Sequence, residues 1–179
     1  MQHRLVKLLC LVLMLGTIGC KDSFICQDDQ LSIAKRAYQG SQILTDGYFY
    51  GETSDNKYAD LFWLYRNGVL LSPGATEMDR AISGNLNEYP DSFLKNNKWP
   101  WGLYNIDGNI ISIERWYPGR CGVETIYEEA EILNNESFRL YLREYKKDGK
   151  VVKSEDIDYI FKLFHQNNKP DSLNSFLYK

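Results

Sequence analysis

The chain has 179 residues, of which 44% are hydrophobic and 14% aromatic, and this is the composition of one globular domain. Its formal charge is −3 at pH 7. Proteins that bind DNA or RNA draw their affinity from clustered basic side chains, which this charge balance does not supply. The composition therefore predicts no nucleic-acid partner.

The N-terminus has the pattern of an export signal. His3, Arg4 and Lys7 make it positively charged, and residues 8–15 form an uninterrupted apolar run. A membrane-spanning helix needs about 20 apolar residues, so this run is too short to be one. The pattern predicts a signal peptide over residues 1–19.

The residues that follow the apolar run resemble a bacterial lipobox, with the order Thr-Ile-Gly-Cys at positions 17–20. The resemblance implies cleavage before Cys20 and attachment of acyl chains to it, and Lys21 and Asp22 resemble the start of Bacteroidetes-type surface lipoproteins. Each buried methylene contributes about 0.8 kcal/mol, so several acyl chains would anchor the protein. We expect a cell-envelope lipoprotein that is anchored in the outer membrane, and the sequence does not decide between its periplasmic and its outer surface. The alternative is an ordinary secretory signal cut near Gly19.

Two cysteines remain as possible thiols after such processing. Cys10 leaves with the signal peptide and Cys20 carries lipid, which leaves Cys26 and Cys121 in an oxidising compartment. A disulfide between them would close a loop of about 95 residues and contribute about 4.7 kcal/mol on the chain-entropy model. Two separate thiols are the alternative.

The mature chain is expected to hold a lipidated tether over residues 20–30 and a single β-rich domain over residues 31–179. Tight-turn pairs such as Asn67-Gly68 and Asp107-Gly108 separate stretches with strand-like patterns. The predicted strands are 47–52, 60–66, 69–72, 103–106, 109–117, 123–133, 137–145 and 156–164.

These strands predict an all-β fold, an antiparallel meander of about eight strands. Phe138, Leu140 and Leu142 alternate with Arg139, Tyr141 and Arg143, the pattern of a half-buried sheet. Closure into a barrel would remove the unpaired edges. The architecture resembles the lipocalin and fatty-acid-binding superfamily, and Gly47-Tyr48-Phe49 takes the place of the lipocalin Gly-x-Trp motif. A strongly curved open sheet is the alternative.

Three short helices are expected beside the strands. Ile33, Ala34, Ala37 and Tyr38 recur at helical spacing and predict a helix over residues 29–39. A second helix, over residues 77–83, interrupts the long loop 73–100. A third is expected at the C-terminus, where Leu173, Phe176 and Leu177 share one helical face.

Catalytic motifs are scarce in the sequence, and we expect neither an enzyme nor a bound metal or cofactor. His165 is the one histidine that remains after the signal peptide, and the sequence has no Gly-x-Ser-x-Gly elbow or phosphate-binding glycine loop. The acidic run Glu124, Glu128, Glu129 and Glu131 is interpreted as the solvated charge of a strand, because alternation divides it between both faces.

Aromatic residues supply the candidate binding site. Exposed rings at a barrel mouth form a stacking platform for a glycan or an apolar ligand. The alternative is that they plug the barrel and pack the long loop. The residues concerned are Trp99, Trp101, Trp116, Tyr117, Tyr48, Tyr50 and Tyr104.

The sequence thus predicts a non-enzymatic, membrane-anchored binding module for a small apolar or glycan ligand. The alternative is an interaction lipoprotein with a filled barrel that docks a protein partner. An open cavity lined by Tyr and Trp would favour the first function, and an exposed apolar patch on the outer surface would favour the second.

Overall fold

The computed structural model describes residues 27–86, 90–120, 122–146, 150–152, 156–163 and 169–178. The signal peptide, Cys20, Cys26, Cys121 and His165 lie outside the described residues. No helix in the described ranges is long and apolar enough to cross a membrane.

Strands dominate the described part of the chain. Ten strands are found there: β1 (Gly47–Glu52), β2 (Tyr58–Leu64), β3 (Val69–Leu71), β4 (Ala75–Glu77), β5 (Trp101–Asp107), β6 (Ile110–Pro118), β7 (Val123–Asn134), β8 (Ser137–Tyr145), β9 (Lys150–Val152) and β10 (Ile157–Leu163). Two short helices, α1 (Met78–Ser83) and α2 (Asp91–Asn96), lie between β4 and β5.

Eight of these strands form a closed antiparallel barrel in the order β1-β10-β8-β7-β6-β5-β3-β2, and β2 pairs back with β1. The remaining two strands share a barrel strand with a neighbour. One end of β2 pairs with β3 and its other end with β4, and one end of β8 pairs with β10 and its other end with β9. The lipocalin-like all-β fold and all eight predicted strands are confirmed.

The β2–β3 turn requires the glycine that the sequence places there. Gly68 has a φ of 80°, in the left-handed region that side chains rarely adopt. A Cβ atom at this position would lie 2.0 Å from the carbonyl oxygen of Arg36, so the N-terminal segment passes directly over the turn. Asn67-Gly68 therefore fixes both the hairpin and the path of the chain that packs on it.

The barrel interior is a continuous apolar core. Phe49 and Phe62 are cross-strand neighbours on β1 and β2, and both are fully buried. The buried side chains of this interior core are Ile43, Phe49, Phe62, Leu64, Leu70, Tyr104, Ile111, Ile113, Ala130, Phe138, Leu140 and Tyr159.

A second core lies outside the barrel wall over β1, β2, β3 and β5. Leu61, Trp63, Leu71 and Trp101 point outward from the barrel and are nevertheless buried. The N-terminal segment, the two helices and the C-terminal residues cover them. The expected half-buried pattern therefore holds for the first half of β8, where Arg139 is exposed, but fails for β2, which is buried on both faces.

The predicted helix over residues 29–39 is wrong, because this segment is extended along the barrel wall. The backbone N–H groups of Ser32 and Ile33 donate to the Glu114 carboxylate, and that of Tyr38 donates to the Arg66 carbonyl. Ile33 packs on the outer core, whereas Tyr38 packs on the interior core. One helix could not serve both cores, so tertiary contacts override the helical spacing.

The predicted C-terminal helix is also wrong, since residues 175–177 form a turn. The Asn174 side chain accepts hydrogen bonds from the backbone N–H groups of Phe176 and Leu177, and this favours a turn over a helix. The helix expected at 77–83 is confirmed as α1, whereas α2, which starts after Pro90, was not predicted.

Residues 36–46 cross one end of the barrel, which we call the covered end. There Tyr38 packs against Tyr104 with ring centroids 6.3 Å apart, and Ile43 is buried in the interior core. The turns β2–β3, β5–β6 and β7–β8 lie at this end. The opposite end carries the β1–β2 turn at residues 53–57 and the β6–β7 turn at residues 119–122.

Candidate functional site

Aromatic rings fill the middle of the barrel. Phe138 and Tyr159 stack with centroids 4.9 Å apart and an interplanar angle of 11°. Phe62 lies 5.0 Å from Tyr159, and Phe49 lies 5.0 Å from Phe138. Offset and tilted pairs at these distances are well-packed core contacts. This part of the interior is therefore occupied by the protein's own side chains.

Toward the opposite end, the interior carries a charge cluster of Asp60, Arg115, Glu128 and Arg143. Arg115 Nε lies 2.8 Å from Glu128 Oε2, and Arg143 Nε lies 2.7 Å from Glu128 Oε1. Arg143 Nη2 lies 3.8 Å from Asp60 Oδ2. Two cations face two anions, so the cluster is formally neutral.

A β-bulge on β8 brings Arg143 into this cluster. Glu129 pairs with Leu142 and Ala130 pairs with Leu140, so Tyr141 is the extra residue of β8. Strict alternation placed Arg143 on the outer face with Arg139, and that expectation is wrong. The interpretation of the acidic run as solvated is also wrong for Glu128, which is fully buried, and for Glu124, which is 9% exposed.

The cluster sets the ionisation of its buried members. Burial opposes ionisation of Glu128, but the neighbouring guanidinium groups of Arg115 and Arg143 outweigh it and lower the pKa of the carboxyl below its ordinary value. Burial also opposes the charge of Arg143, yet Glu128 raises the pKa of that guanidinium. The group thus stays charged inside the barrel.

Two polar atoms beside the cluster are buried without a hydrogen-bond partner in the described structure, namely Arg143 Nη2 and Tyr159 Oη. Burial raises the pKa of the Tyr159 phenol, which keeps it a neutral donor and acceptor. A guanidinium N–H and a phenol O–H can each donate to an oxygen atom of a water or a polar ligand. Unpaired buried groups of this kind are uncommon in proteins.

Three of the predicted platform aromatics are buried in the outer core. The indole N–H of Trp101 donates to the Leu94 carbonyl at 2.8 Å, and that of Trp116 donates to the Asp29 carbonyl at 2.9 Å. The Tyr48 hydroxyl donates to the Ala81 carbonyl at 2.5 Å. Their polar atoms fix α1, α2 and the N-terminal segment onto the barrel.

The other four lie in four different places. Tyr104 is in the interior core, and Tyr117 donates to Glu124 at 2.5 Å beside Tyr145. Trp99 packs edge-on against Phe93 with centroids 5.9 Å apart, and Tyr50 lies on the outer wall. The structure thus does not gather the seven rings into one platform, and of the seven only Tyr50 lines the groove described next.

We call this feature the outer groove, a cavity of about 650 Å³ between α1 and β10 on the outside of the barrel. Tyr50 and Ile160 are cross-strand neighbours in it, and Ile82 comes from α1. Its lining residues are Tyr50, Glu52, Thr53, Ser54, Asn56, Met78, Ile82, Asp156, Ile157, Asp158 and Ile160.

The outer groove combines exposed apolar side chains with carboxylates. Ile82 is 47% exposed and Ile160 is 50% exposed, which is high for aliphatic side chains. Glu52, Asp156 and Asp158 supply three negative charges, and no Lys or Arg is among the described lining residues. Sequence reasoning missed this site, although Ile160 stands between Asp158 and Lys162 on the polar face of its strand and could have signalled it.

Two smaller cavities lie at the covered end. One of about 410 Å³ is lined mainly by residues 36–40 and 104–107, and one of about 490 Å³ lies beside Phe161 and Leu163. Among the residues that the structure describes, no three His, Cys, Asp or Glu side chains are grouped to hold a metal ion. No family model, curated protein or solved structure matches this chain. Its function must be inferred from its own residues.

Proposed function

We propose that the protein is a lipid-anchored, non-enzymatic interaction module of the cell envelope that docks a protein partner on its outer surface. The observation that carries the proposal is the packing of the barrel interior by the described residues. Twelve buried side chains and the neutral charge cluster occupy the interior, whereas half-exposed isoleucines line a groove outside. A filled barrel with an exposed apolar patch favours docking over storage of a ligand.

The anchor in this proposal is the lipobox cysteine, Cys20. Acyl chains there would hold the protein on the outer membrane without a spanning helix. The ordered contacts support a short tether, because Asp28 and Asp29 already bind the β6–β7 region. The Asp29 N–H donates to the Val123 carbonyl at 2.9 Å, and the Val123 N–H donates to Asp28 Oδ1 at 3.1 Å.

A second candidate function is binding of a small apolar or glycan ligand at the opposite end of the barrel. The observation that favours it is that Arg143 Nη2 and Tyr159 Oη are both buried without a hydrogen bond in the described structure. Hydroxyl or carbonyl oxygens of a ligand that reach these atoms would satisfy both groups. The aromatic rings packed in the middle of the barrel would confine this ligand to the region around the charge cluster.

Two measurements test the proposal. Cells grown with a labelled fatty acid are expected to label the wild-type chain and not the Cys20→Ala variant. Native mass spectrometry of the purified full chain is expected to give the acylated mass with no further small molecule. Label that persists in Cys20→Ala contradicts the anchor.

A co-purifying small molecule that is lost in Tyr159→Phe would contradict the filled barrel and support the second candidate. Tyr141→Phe is the matched control, because the Tyr141 hydroxyl binds Glu129 on the outer face at 3.0 Å. Loss in both variants would indicate a general effect of the substitutions and would leave the ligand outside the interior.

A further inference from the structure

We propose that the outer groove binds a peptide segment of the partner that presents an apolar side chain next to Lys or Arg. This inference rests on the proposed function, because it names the partner chemistry for that outer surface. It is carried by the combination of an apolar floor and an acidic edge in one groove.

The apolar floor is built by neighbours from two elements. Tyr50 on β1 lies directly opposite Ile160 on β10, and both point away from the barrel interior. Met78 and Ile82 of α1 form the facing wall. The cavity of about 650 Å³ is within the size range of about 300–1,000 Å³ that ligand pockets occupy. A large apolar side chain can therefore enter between α1 and β10 and cover Ile82 and Ile160.

The acidic edge lies on the side of the groove nearest the opposite end of the barrel. Gly51 pairs with Tyr159, so continuing this register places Glu52 beside Asp158, and Asp156 is two residues further along. Asp158 is held by Arg139 at 2.7 and 3.1 Å. Glu52 and Asp156 make no ion pair within 4 Å to a residue of the described chain. Among the described residues, three carboxylates thus face the one guanidinium of Arg139, which also interacts with Asp156, and the edge keeps a net negative charge.

Charge complementarity selects the occupant. A Lys or Arg beside the apolar anchor would meet Glu52 and Asp156 while the anchor fills the groove. An anionic lipid surface or a nucleic acid would be repelled by the same carboxylates. In a two-fold dimer through this groove the acidic edges of both copies would share one interface, which disfavours a second copy.

A peptide-display selection tests the inference. Random peptides are selected on the full lipidated chain in neutral phosphatidylcholine vesicles, so that the lipid itself attracts no cationic peptide. We expect enrichment of sequences with an aromatic or aliphatic residue next to Lys or Arg. Binding of these peptides should weaken as salt rises from 0.05 to 0.5 M, because the acidic edge is solvent-exposed and screened.

Two groove variants separate the apolar from the charged contribution. Ile82→Ser combined with Ile160→Thr should weaken binding at least tenfold. Glu52→Gln combined with Asp156→Asn should weaken it severalfold and reduce the salt dependence. Leu133→Thr is the matched control, because Leu133 is 44% exposed on β7, away from the groove, and it should leave binding unchanged.

The outcomes separate this inference from the function on which it rests. The groove assignment is overturned if the selected peptides lack basic residues, if they bind the wild type and the groove variants equally, or if no peptide is enriched. The proposed function still stands in that case if the fatty-acid label and the ligand-free native mass are observed. A small molecule recovered from the barrel interior would instead overturn the proposed function. Circular dichroism of each variant must match wild type, and the Glu52 and Asp156 pair gives a second test if the isoleucine variant fails to fold.

Discussion

At the scale of single residues, Glu128 is the side chain on which the barrel interior depends most. It is fully buried and binds both Arg115 and Arg143 at hydrogen-bond distance. Breaking a buried ion pair leaves an uncompensated charge, and for Glu128→Gln we expect a loss of about 3 kcal/mol in the free energy of unfolding. Urea denaturation at pH 7 measures it.

The exposed pair of Arg139 and Asp158 is the control for this substitution. Both side chains are nearly half exposed, so Asp158→Asn should cost far less than Glu128→Gln. Equal losses for the two variants would mean that burial adds nothing to the interior pair. A Glu128→Gln protein as stable as wild type would show that the cluster is not a structural element.

The ionisation of the Glu128 carboxyl makes the free energy of unfolding depend on pH. Its pKa is lowered in the folded protein, because the two guanidinium groups outweigh burial. Its contribution is therefore present above the unfolded pKa of about 4.3 and is lost as pH falls through the folded value. The stability difference between wild type and Glu128→Gln should shrink as pH falls from 7 to 3. A difference that stays constant over this range contradicts the assignment.

At the scale of elements, a buried carboxylate binds the middle of the N-terminal segment, between the contacts of Asp29 and of Tyr38. Glu114 on β6 is fully buried and accepts the backbone N–H groups of Ser32 and Ile33 at 2.6 and 2.8 Å, and Lys146 Nζ lies 2.5 Å away. This arrangement replaces the helix that the spacing of Ile33 and Ala37 predicts. The strand pairs of the barrel itself do not involve the segment.

Glu114→Ala should therefore loosen the segment before the barrel unfolds. We expect faster amide hydrogen exchange across residues 30–38, while the strands β6 and β7 exchange as in wild type. Ser32→Ala is the matched control, because it removes the hydroxyl and keeps both backbone bonds to Glu114. The assignment fails if exchange rises equally throughout the barrel, or not at all.

Local turn chemistry explains which elements were predictable from sequence. Asn67-Gly68 and Asp107-Gly108 each fix a hairpin within a few residues. Such turns, together with the alternation of apolar residues between them, are local signals, and they suffice to predict the eight barrel strands. The bulge at Tyr141 and the burial of the Glu114 side chain depend on contacts between residues far apart in the chain, so no local sequence pattern predicts them. The outer groove likewise required α1 and β10 to be brought together, and only Ile160 carried a local signal.

At the scale of the whole molecule, the start of the domain and the β6–β7 turn lie side by side. A Cβ atom on Gly122 would lie 3.5 Å from the Gln27 carbonyl oxygen and 2.9 Å from Asp28 Oδ1. Cys26 precedes Gln27 and Cys121 precedes Gly122, although both cysteines lie outside the described residues. The chain neighbours of the two cysteines thus lie close together, and this supports the pairing that the sequence leaves open.

We therefore expect the exported chain to contain a Cys26–Cys121 disulfide. Alkylation without reductant should modify neither cysteine, and alkylation after reduction should modify both. Because the bridge would close a loop of about 95 residues, Cys26→Ser with Cys121→Ser should lower stability by several kcal/mol, at most about 4.7. Alkylation of both thiols in the unreduced protein would contradict the bridge.

If Cys20 carries the proposed lipid, the path of the N-terminal segment also sets how the barrel sits on a membrane. Asp28 is fixed at the β6–β7 turn, and the chain then runs past Glu114 and Gly68 to the covered end. Eight residues separate Cys20 from Asp28 and span at most about 28 Å. A lipid on Cys20 would hold the opposite end, with the acidic edge of the outer groove, near the membrane, and the covered end would point away.

Fluorescent unnatural amino acids can measure this orientation without new cysteines. We expect a probe at Ser54, in the β1–β2 turn, to be quenched more strongly by headgroup-labelled lipid than a probe at Asn135, in the β7–β8 turn. The same two probes on a chain released by cleavage of the tether should show equal quenching. Equal or reversed quenching on the anchored chain would mean that the barrel is free to turn, so that a partner could approach the outer groove from any direction.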